Sequence, residues 1–161
     1  PTPTPVIPMK RTLYSEHGFS LDLDAEVDID SSGYTSADPD DTQGAASMIY
    51  KGVNVLILWI PRGNNTPEIL LADNFALLRS SQPDTIFTAV SEGVITPDAQ
   101  EGVFGSFALT DTEDESLGGG LIGAWICSDS DTAFTMTGTG ADAALLQIRF
   151  QKLLDSFSCS D

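Results

Sequence analysis

The residues with the clearest chemical potential lie in an acidic segment near the N-terminus. Asp28, Asp30 and Ser32 place side-chain oxygens at the first, third and fifth positions of a run that has Gly33 at the sixth. A calcium loop uses this spacing, because oxygen ligands at alternate positions surround the ion and the glycine permits a sharp turn. The twelfth position, however, is Pro39, where such a loop carries a glutamate.

A nearby carboxylate could replace the missing glutamate. Asp38 and Asp40 both flank that position, so the predicted calcium ligands are Asp28, Asp30, Ser32 and Asp38. The alternative is a solvated acidic loop, since residues 16–41 hold nine acids and no lysine or arginine. That simpler interpretation leaves the chain without a resident cofactor.

Other chemical signals are weak. Gly138 and Gly140 match the outline of a dinucleotide-binding turn, but no further strand ending in an acid follows, so they predict only a tight turn before the last helix. His17 is the single histidine, and no G-x-S-x-G motif is present. We therefore predict no catalytic and no cofactor-binding residues; an unrecognised hydrolase using two carboxylates is the alternative.

The two cysteines bear on the compartment. Cys127 ends an apolar predicted strand, and Cys159 lies just beyond the last predicted helix. If that helix packs on the sheet, the two thiols could meet, and a disulfide would suit an oxidising compartment. The alternative is a pair of unrelated buried or terminal thiols.

Hydrophobic periodicity and turn residues divide the chain into elements. The predicted order is a hairpin of strands 11–16 and 19–24, a loop over 26–44, strands 46–51 and 53–60, a helix starting at Thr66 and Pro67, strands 85–96, 102–109, 117–127 and 133–137, and a helix over 141–157. The apolar stripe of the first helix is predicted as Ile69, Leu71, Ala72, Phe75 and Leu78. The stripe of the second is predicted as Leu146, Phe150, Leu153 and Phe157, widened by Leu145 and Ile148.

This order predicts an α+β fold: one antiparallel sheet of about six to eight strands with two main helices packed on it. Residues 1–10 are a Pro/Thr-rich linker, and residues 11–161 form one domain, expected to be monomeric. A linker of this kind commonly separates a membrane anchor from its cargo, although it also joins cytoplasmic domains. The longest apolar run, residues 55–60, is far below the ~20 residues of a membrane span.

The net charge of the chain restricts the classes of partner that it can bind. The chain has 24 acidic and 7 basic residues, a formal net charge of −17. Such a charge repels phosphates and anionic lipids, so we exclude nucleic acids and expect membrane association only through an N-terminal anchor.

Several segments together resemble a known family. The opening Tyr14-Ser-Glu-His-Gly-Phe-Ser20 and the later Gly123-Ala-Trp-Ile126 and Ala133-Phe-Thr-Met136 are similar to a PsbP-type domain, as is the end of the last helix. Its best-known member is an extrinsic lumenal subunit of photosystem II, and its relatives include bacterial lipoproteins. This chain departs by carrying Asp24-Ala-Glu-Val27 where the family has a proline and a tryptophan.

The resemblance implies an α/β/α sandwich and a non-enzymatic accessory domain outside the cytoplasm, secreted or lipid-anchored, with an unidentified protein or surface as its partner. A calcium-stabilised, adhesion-like surface domain is the alternative that the acidic segment favours.

Overall fold

The computed structural model describes residues 2–3 and 10–161, so most of the predicted linker lies outside the described residues. Its elements are β1 (Thr12–Tyr14), β2 (Ser20–Leu23), β3 (Asp30–Ser32), β4 (Gly44–Tyr50), β5 (Val53–Pro61), α1 (Pro67–Ser81), β6 (Ile86–Ile95), β7 (Gly102–Thr110), β8 (Ser116–Cys127), β9 (Thr132–Gly140), α2 (Ala143–Ser156) and β10 (Phe157–Ser158). The predicted helices and long strands are confirmed, with small shifts in their ends.

A seven-stranded antiparallel sheet forms the centre of the molecule, in the order β3-β4-β5-β9-β8-β7-β6. The predicted meander of β6 to β9 is confirmed, and β5 lies inside the sheet between β4 and β9. Because side chains alternate along a strand, β8 sends Trp125 and Cys127 towards α2, and Ala124 and Ile126 towards α1. The helices therefore cover opposite faces, which gives the predicted α/β/α sandwich.

The N-terminal hairpin does not join this sheet, contrary to the expectation of one sheet. β2 pairs with β1 on one side and with the short β10 on the other, which makes a separate three-stranded sheet. Leu21 and Leu23 of β2 and Phe19, the residue before it, are buried, whereas Leu13 of β1 is 68% exposed and the neighbouring Tyr14 is buried. The hairpin leaves the main sheet because its apolar face covers the aromatic core on the α2 side.

Aromatic rings join the two sheets. Phe19 of the hairpin lies 5.0 Å from Trp59 and 5.1 Å from Phe134, measured between ring centroids. Phe157 lies 4.9 Å from Trp125 and 5.0 Å from Phe134. Edge-to-face contacts of this kind add to the free energy gained by removing the rings from water.

The two helices begin at side-chain caps but differ in how well their buried faces were predicted. Thr66 Oγ1 accepts a hydrogen bond from the Ile69 N–H, and Asp142 Oδ1 accepts one from the Leu145 N–H. Helix α2 buries three members of its predicted stripe together with Leu154. Its predicted flank at Leu145 and Ile148 is exposed, because α2 lies on the sheet along a narrow seam.

The apolar stripe predicted for helix α1 is confirmed in part. The fully buried residues of the helix are Leu70 and Asn74, and the predicted Ile69 is exposed. Asn74 Nδ2 donates to Thr137 Oγ1 of β9 at 2.9 Å, a buried polar contact. Leu71 and Phe75 are half-buried: they pack against buried residues of the sheet and also line an open groove. Within the described residues, neither helix is long and apolar enough to cross a bilayer.

Candidate binding groove and the predicted sites

The acidic segment does not fold as one long loop. Residues 26–44 were predicted to lack regular structure, yet Asp30–Ser32 form the edge strand β3, paired with Ala45 to Ser47 of β4. Asp30 and Ser32 lie two positions apart on this strand, so their side chains leave the same face. Both are exposed, and so are Asp28 and Asp38.

Gln43 organises the remainder of this segment. Its side chain is buried, and its Oε1 accepts hydrogen bonds from the N–H groups of Tyr34 and Thr35 at 2.7 and 2.9 Å. Its Nε2 donates to the carbonyl of Asp38 at 2.7 Å. The sequence does not distinguish this glutamine from one on the surface, because its partners are main-chain groups and main-chain groups leave no sequence pattern.

Asp40, one of the two possible twelfth ligands, is occupied by its own turn. Its Oδ1 accepts hydrogen bonds from Thr42 N, Thr42 Oγ1 and Gln43 N at 2.8, 2.6 and 3.0 Å. The bonds from Thr42 and Gln43 lower the pKa of Asp40 to about 2. An Asp two residues before a Thr is the sequence signal of such a turn.

The four predicted calcium ligands are therefore spread over a strand and a bend. Across residues 2–3 and 10–161, no group of three or more His, Cys, Asp or Glu side chains is arranged to hold a metal ion. Calcium binding by Asp28, Asp30, Ser32 and Asp38 stays a prediction, and its test is given in the Discussion.

The predicted glycine turn is a strand. Gly138 and Gly140 both lie in β9, where they pair with Leu121 and Gly119 of β8. A Cβ on Gly138 would sit 3.2 Å from Phe150 Cδ2, so this glycine lets α2 approach the sheet closely. Helix packing explains the residue without a nucleotide.

The structure contains the predicted disulfide between Cys127 and Cys159. Cys127 is fully buried in β8, and the Cys159 N–H donates to Asp98 Oδ2 at 2.9 Å. His17 stacks on Trp59 with 5.6 Å between ring centroids. In this oxidised form neither cysteine can act with His17 as a thiolate nucleophile.

The largest cavity is an open groove of about 1030 Å³ between α1 and the strands β6 and β7. Its floor is formed by Val103, Gly105 and Phe107 of β7, and Leu71 and Phe75 of α1 form one wall. Leu70 and Asn74 hold α1 over β8 and β9, and Leu71 and Phe75 reach across to β6 and β7. The helix therefore covers the last two strands of the sheet incompletely, which leaves the groove open.

Charged groups stand around this apolar floor. Glu68 lies in the first turn of α1 and Arg79 in its last turn, and both line the groove. The Arg79 guanidinium lies 4.5 Å from the centre of the Phe75 ring, a cation–π distance. Glu92 of β6 pairs with Gly105, so it leaves the sheet on the groove side. Glu68 and Glu92 form no ion pair with any described residue.

The groove borders an unpaired strand edge. Nine of the ten residues of β6 pair with β7, with a bulge at the unpaired Val90, and no strand among the described residues lies on the other side of β6. Val90 and Val94 are 67% and 75% exposed, and Ile86 is exposed as well. Edge strands in soluble proteins are usually protected by charged side chains, proline or bulges; β6 has no lysine or proline, but it has Glu92 and the bulge at Val90.

Sequence reasoning missed this groove. Its lining comes from α1, β6, β7 and β8, and the side chains become neighbours only through the strand order. The half-exposed Phe75 was assigned to the core because a helical apolar stripe usually indicates burial.

Comparison with protein-family models finds no match, and comparison with curated proteins finds none either. Among solved structures, the solution structure of cyanobacterial PsbP (CyanoP) from Synechocystis sp. PCC 6803 superposes with a TM-score of 0.66. The match covers 98% of this chain and 97% of that chain at 14% sequence identity. The predicted PsbP-like fold is confirmed, and at this identity the likeness is one of fold.

Proposed function

We propose that this PsbP-like chain is a non-enzymatic accessory domain that works outside the cytoplasm by binding a partner in the groove beside α1. The observation that carries the proposal is the groove itself, which joins about 1030 Å³ of largely apolar space to an unpaired strand edge. An open cleft that is lined mainly by apolar side chains and carries a few charged groups is a common form of binding site.

Neither of the two described carboxylates with a shifted pKa is suited to act as a general acid, which gives the hydrolase alternative no support. The described carboxylates with a resolved shift are Asp24 and Asp40, and in both cases hydrogen bonds lower the pKa. Both therefore remain ionised at neutral pH, whereas a general acid needs a raised pKa. The PsbP-like fold points the same way, because the family resemblance implies an accessory domain.

The compartment is part of the proposal. The buried disulfide suits an oxidising environment, and the Pro/Thr-rich residues before the domain would act as a spacer from a membrane anchor. Alkylation of acid-quenched cells before and after reduction tests this. Two thiols that react only after reduction are expected; thiols that react directly in the producing cell would contradict an extracytoplasmic location.

Site-specific photo-crosslinking tests the binding role. A photoreactive phenylalanine analogue replaces Ala76, which is exposed and lines the groove, or Ile148, which is exposed on α2 across the sheet. We expect a discrete adduct from position 76 and none of that size from position 148 in cells that produce the protein. The same adducts from both positions, or none from position 76, would contradict the proposal.

A further inference from the structure

We propose that the partner contributes an extended polypeptide segment that adds as a new strand to the free edge of β6 and places a basic residue between two apolar residues on the groove side. This inference rests on the proposed function and names the chemistry of the partner. Strand addition uses the unpaired main-chain groups of an edge for affinity and alternate side chains for specificity.

The first step is the edge. β6 presents ten residues from Ile86 to Ile95 whose inner side is paired with β7. Ile86, Val90 and Val94 are exposed along it, so an incoming strand would find apolar side chains as well as main-chain donors and acceptors. A strand of this length spans about 30 Å and matches an extended peptide of similar length.

The second step is the direction of the side chains. Ala89, Glu92 and Val94 pair with Phe107, Gly105 and Val103. These pairs share the face on which α1 lies, because Val103 and Phe107 pack with residues of α1. Every second side chain of an added strand would therefore leave the sheet on the groove side, next to Glu92.

The third step is charge. Glu92 is exposed at the middle of this edge, and Glu68 lies across the groove on α1. The whole chain has a formal net charge of −17, which attracts a cation from a distance. A lysine or arginine beside Glu92, with apolar side chains two positions before and after it that lie beside Ala89 and Val94, complements both the charge and the floor.

Charge also argues against a second copy of this chain as the occupant. Edge-to-edge pairing of two β6 strands would bring two Glu92 carboxylates to one seam between molecules that each carry a charge of −17. Like charges directly opposite each other destabilise a strand pair. The protein alone should therefore sediment as a monomer.

The experiment uses defined peptides and the full chain. The probe is a labelled peptide of about twelve residues, long enough to cover β6, with one central lysine, valine two positions before and after it, and threonine at the positions between. One control carries glutamate in place of lysine, and another carries N-methyl groups on alternate residues, which remove main-chain donors from one edge. By fluorescence anisotropy at about 0.15 M salt, we expect both controls to bind at least about tenfold more weakly.

Two charge-reversal variants distinguish binding at a specific site from attraction by the net charge of the whole chain. Glu92→Lys and Glu113→Lys change the net charge equally, and Glu113 is exposed in the turn between β7 and β8. We expect Glu92→Lys to raise the dissociation constant of the lysine peptide at least about tenfold. Glu113→Lys should raise it less than about threefold, because distant charges are screened. Unchanged melting temperatures would show that both variants fold.

Several outcomes would overturn the inference. Equal losses in both variants would indicate attraction without a site, and an N-methylated peptide that binds as tightly would exclude strand addition. A dimer of the free protein that Glu92→Lys disrupts would make a second copy the occupant. If the peptide fails while position 76 still crosslinks to a partner, the groove keeps its proposed function and only the basic strand is refuted.

Discussion

At the scale of single residues, Asp24 is a structural hydrogen-bond acceptor, although its position in an acidic segment predicts only a solvated charge. It accepts hydrogen bonds from the Tyr50 hydroxyl and from Lys51 Nζ, the latter at 2.9 Å, and Lys152 Nζ lies 3.6 Å away. The bonds from Tyr50 and Lys51 hold the pKa of Asp24 well below its usual value of 3.8. Burial and the Asp24 carboxylate raise the pKa of Tyr50 to about 12.

Asp24→Asn should therefore destabilise the protein by about 1–3 kcal/mol at neutral pH, since it removes charge-assisted hydrogen bonds to a buried tyrosine. The folded pKa lies below the unfolded one, so this stability is fully present above pH 3.8 and is lost as the pH falls further. Urea unfolding at neutral and acidic pH measures it. A difference between wild type and variant that stays constant into acid would contradict the assignment.

The two glycines of β9 provide a matched pair. A Cβ at position 138 would meet Phe150 and Leu146 at 3.2 and 3.3 Å, whereas at position 140 the nearest atom is Val53 Cγ2 at 3.9 Å. Gly138→Ala should therefore cost about 1–3 kcal/mol through overpacking, and Gly140→Ala should be close to neutral or slightly stabilising. Thermal unfolding compares them, and equal effects would show that α2 yields without strain.

At the scale of elements, periodicity and caps were informative wherever the local sequence decides the structure. The hairpin, both helices and the four-strand meander follow from turns, caps and apolar spacing. β3 was missed because Asp30, Ser31 and Ser32 have low strand propensity and depend on pairing with β4. β10 was missed because a strand of two residues is too short to show an alternating hydrophobic pattern.

The disulfide stabilises at this same scale, because it ties β8 to the segment that follows β10. The cysteines are 32 positions apart, and closing a loop of that length contributes about 3–4 kcal/mol on the chain-entropy estimate. Reduction, or Cys159→Ser, should lower the free energy of unfolding by up to that amount. Chemical unfolding with and without reductant measures it, with the variant as a control that reductant must leave unchanged.

At the scale of the whole molecule, the fold class was predictable and the groove was not. Two helices and a majority of strands in this order leave few arrangements other than a covered antiparallel sheet. Which strand becomes the edge depends on the pairing of β5 with β9, and nothing in either strand specifies that partner. The position of α1 likewise depends on contacts with distant strands: Leu70 packs on β8 and β9, and Asn74 donates to Thr137.

The net charge of −17 leads to a prediction about cations. Calcium and magnesium at equal ionic strength should raise the melting temperature equally, because both screen self-repulsion and the predicted ligands form no cluster among the described residues. A true calcium site at one hundred times its dissociation constant would add about 2.7 kcal/mol. A calcium-selective shift that Asp30→Asn abolishes would contradict our expectation and favour the adhesion-like alternative.

The small sheet also fixes an order of events during synthesis. Its central strand β2 pairs with Phe157 and Ser158, almost at the opposite end of the chain. A ribosome releases the hairpin before its second partner and before the Phe157 ring that packs on Phe19, because both follow it by more than a hundred residues. The nascent chain thus cannot complete the aromatic core of this domain until Phe157 has left the ribosome.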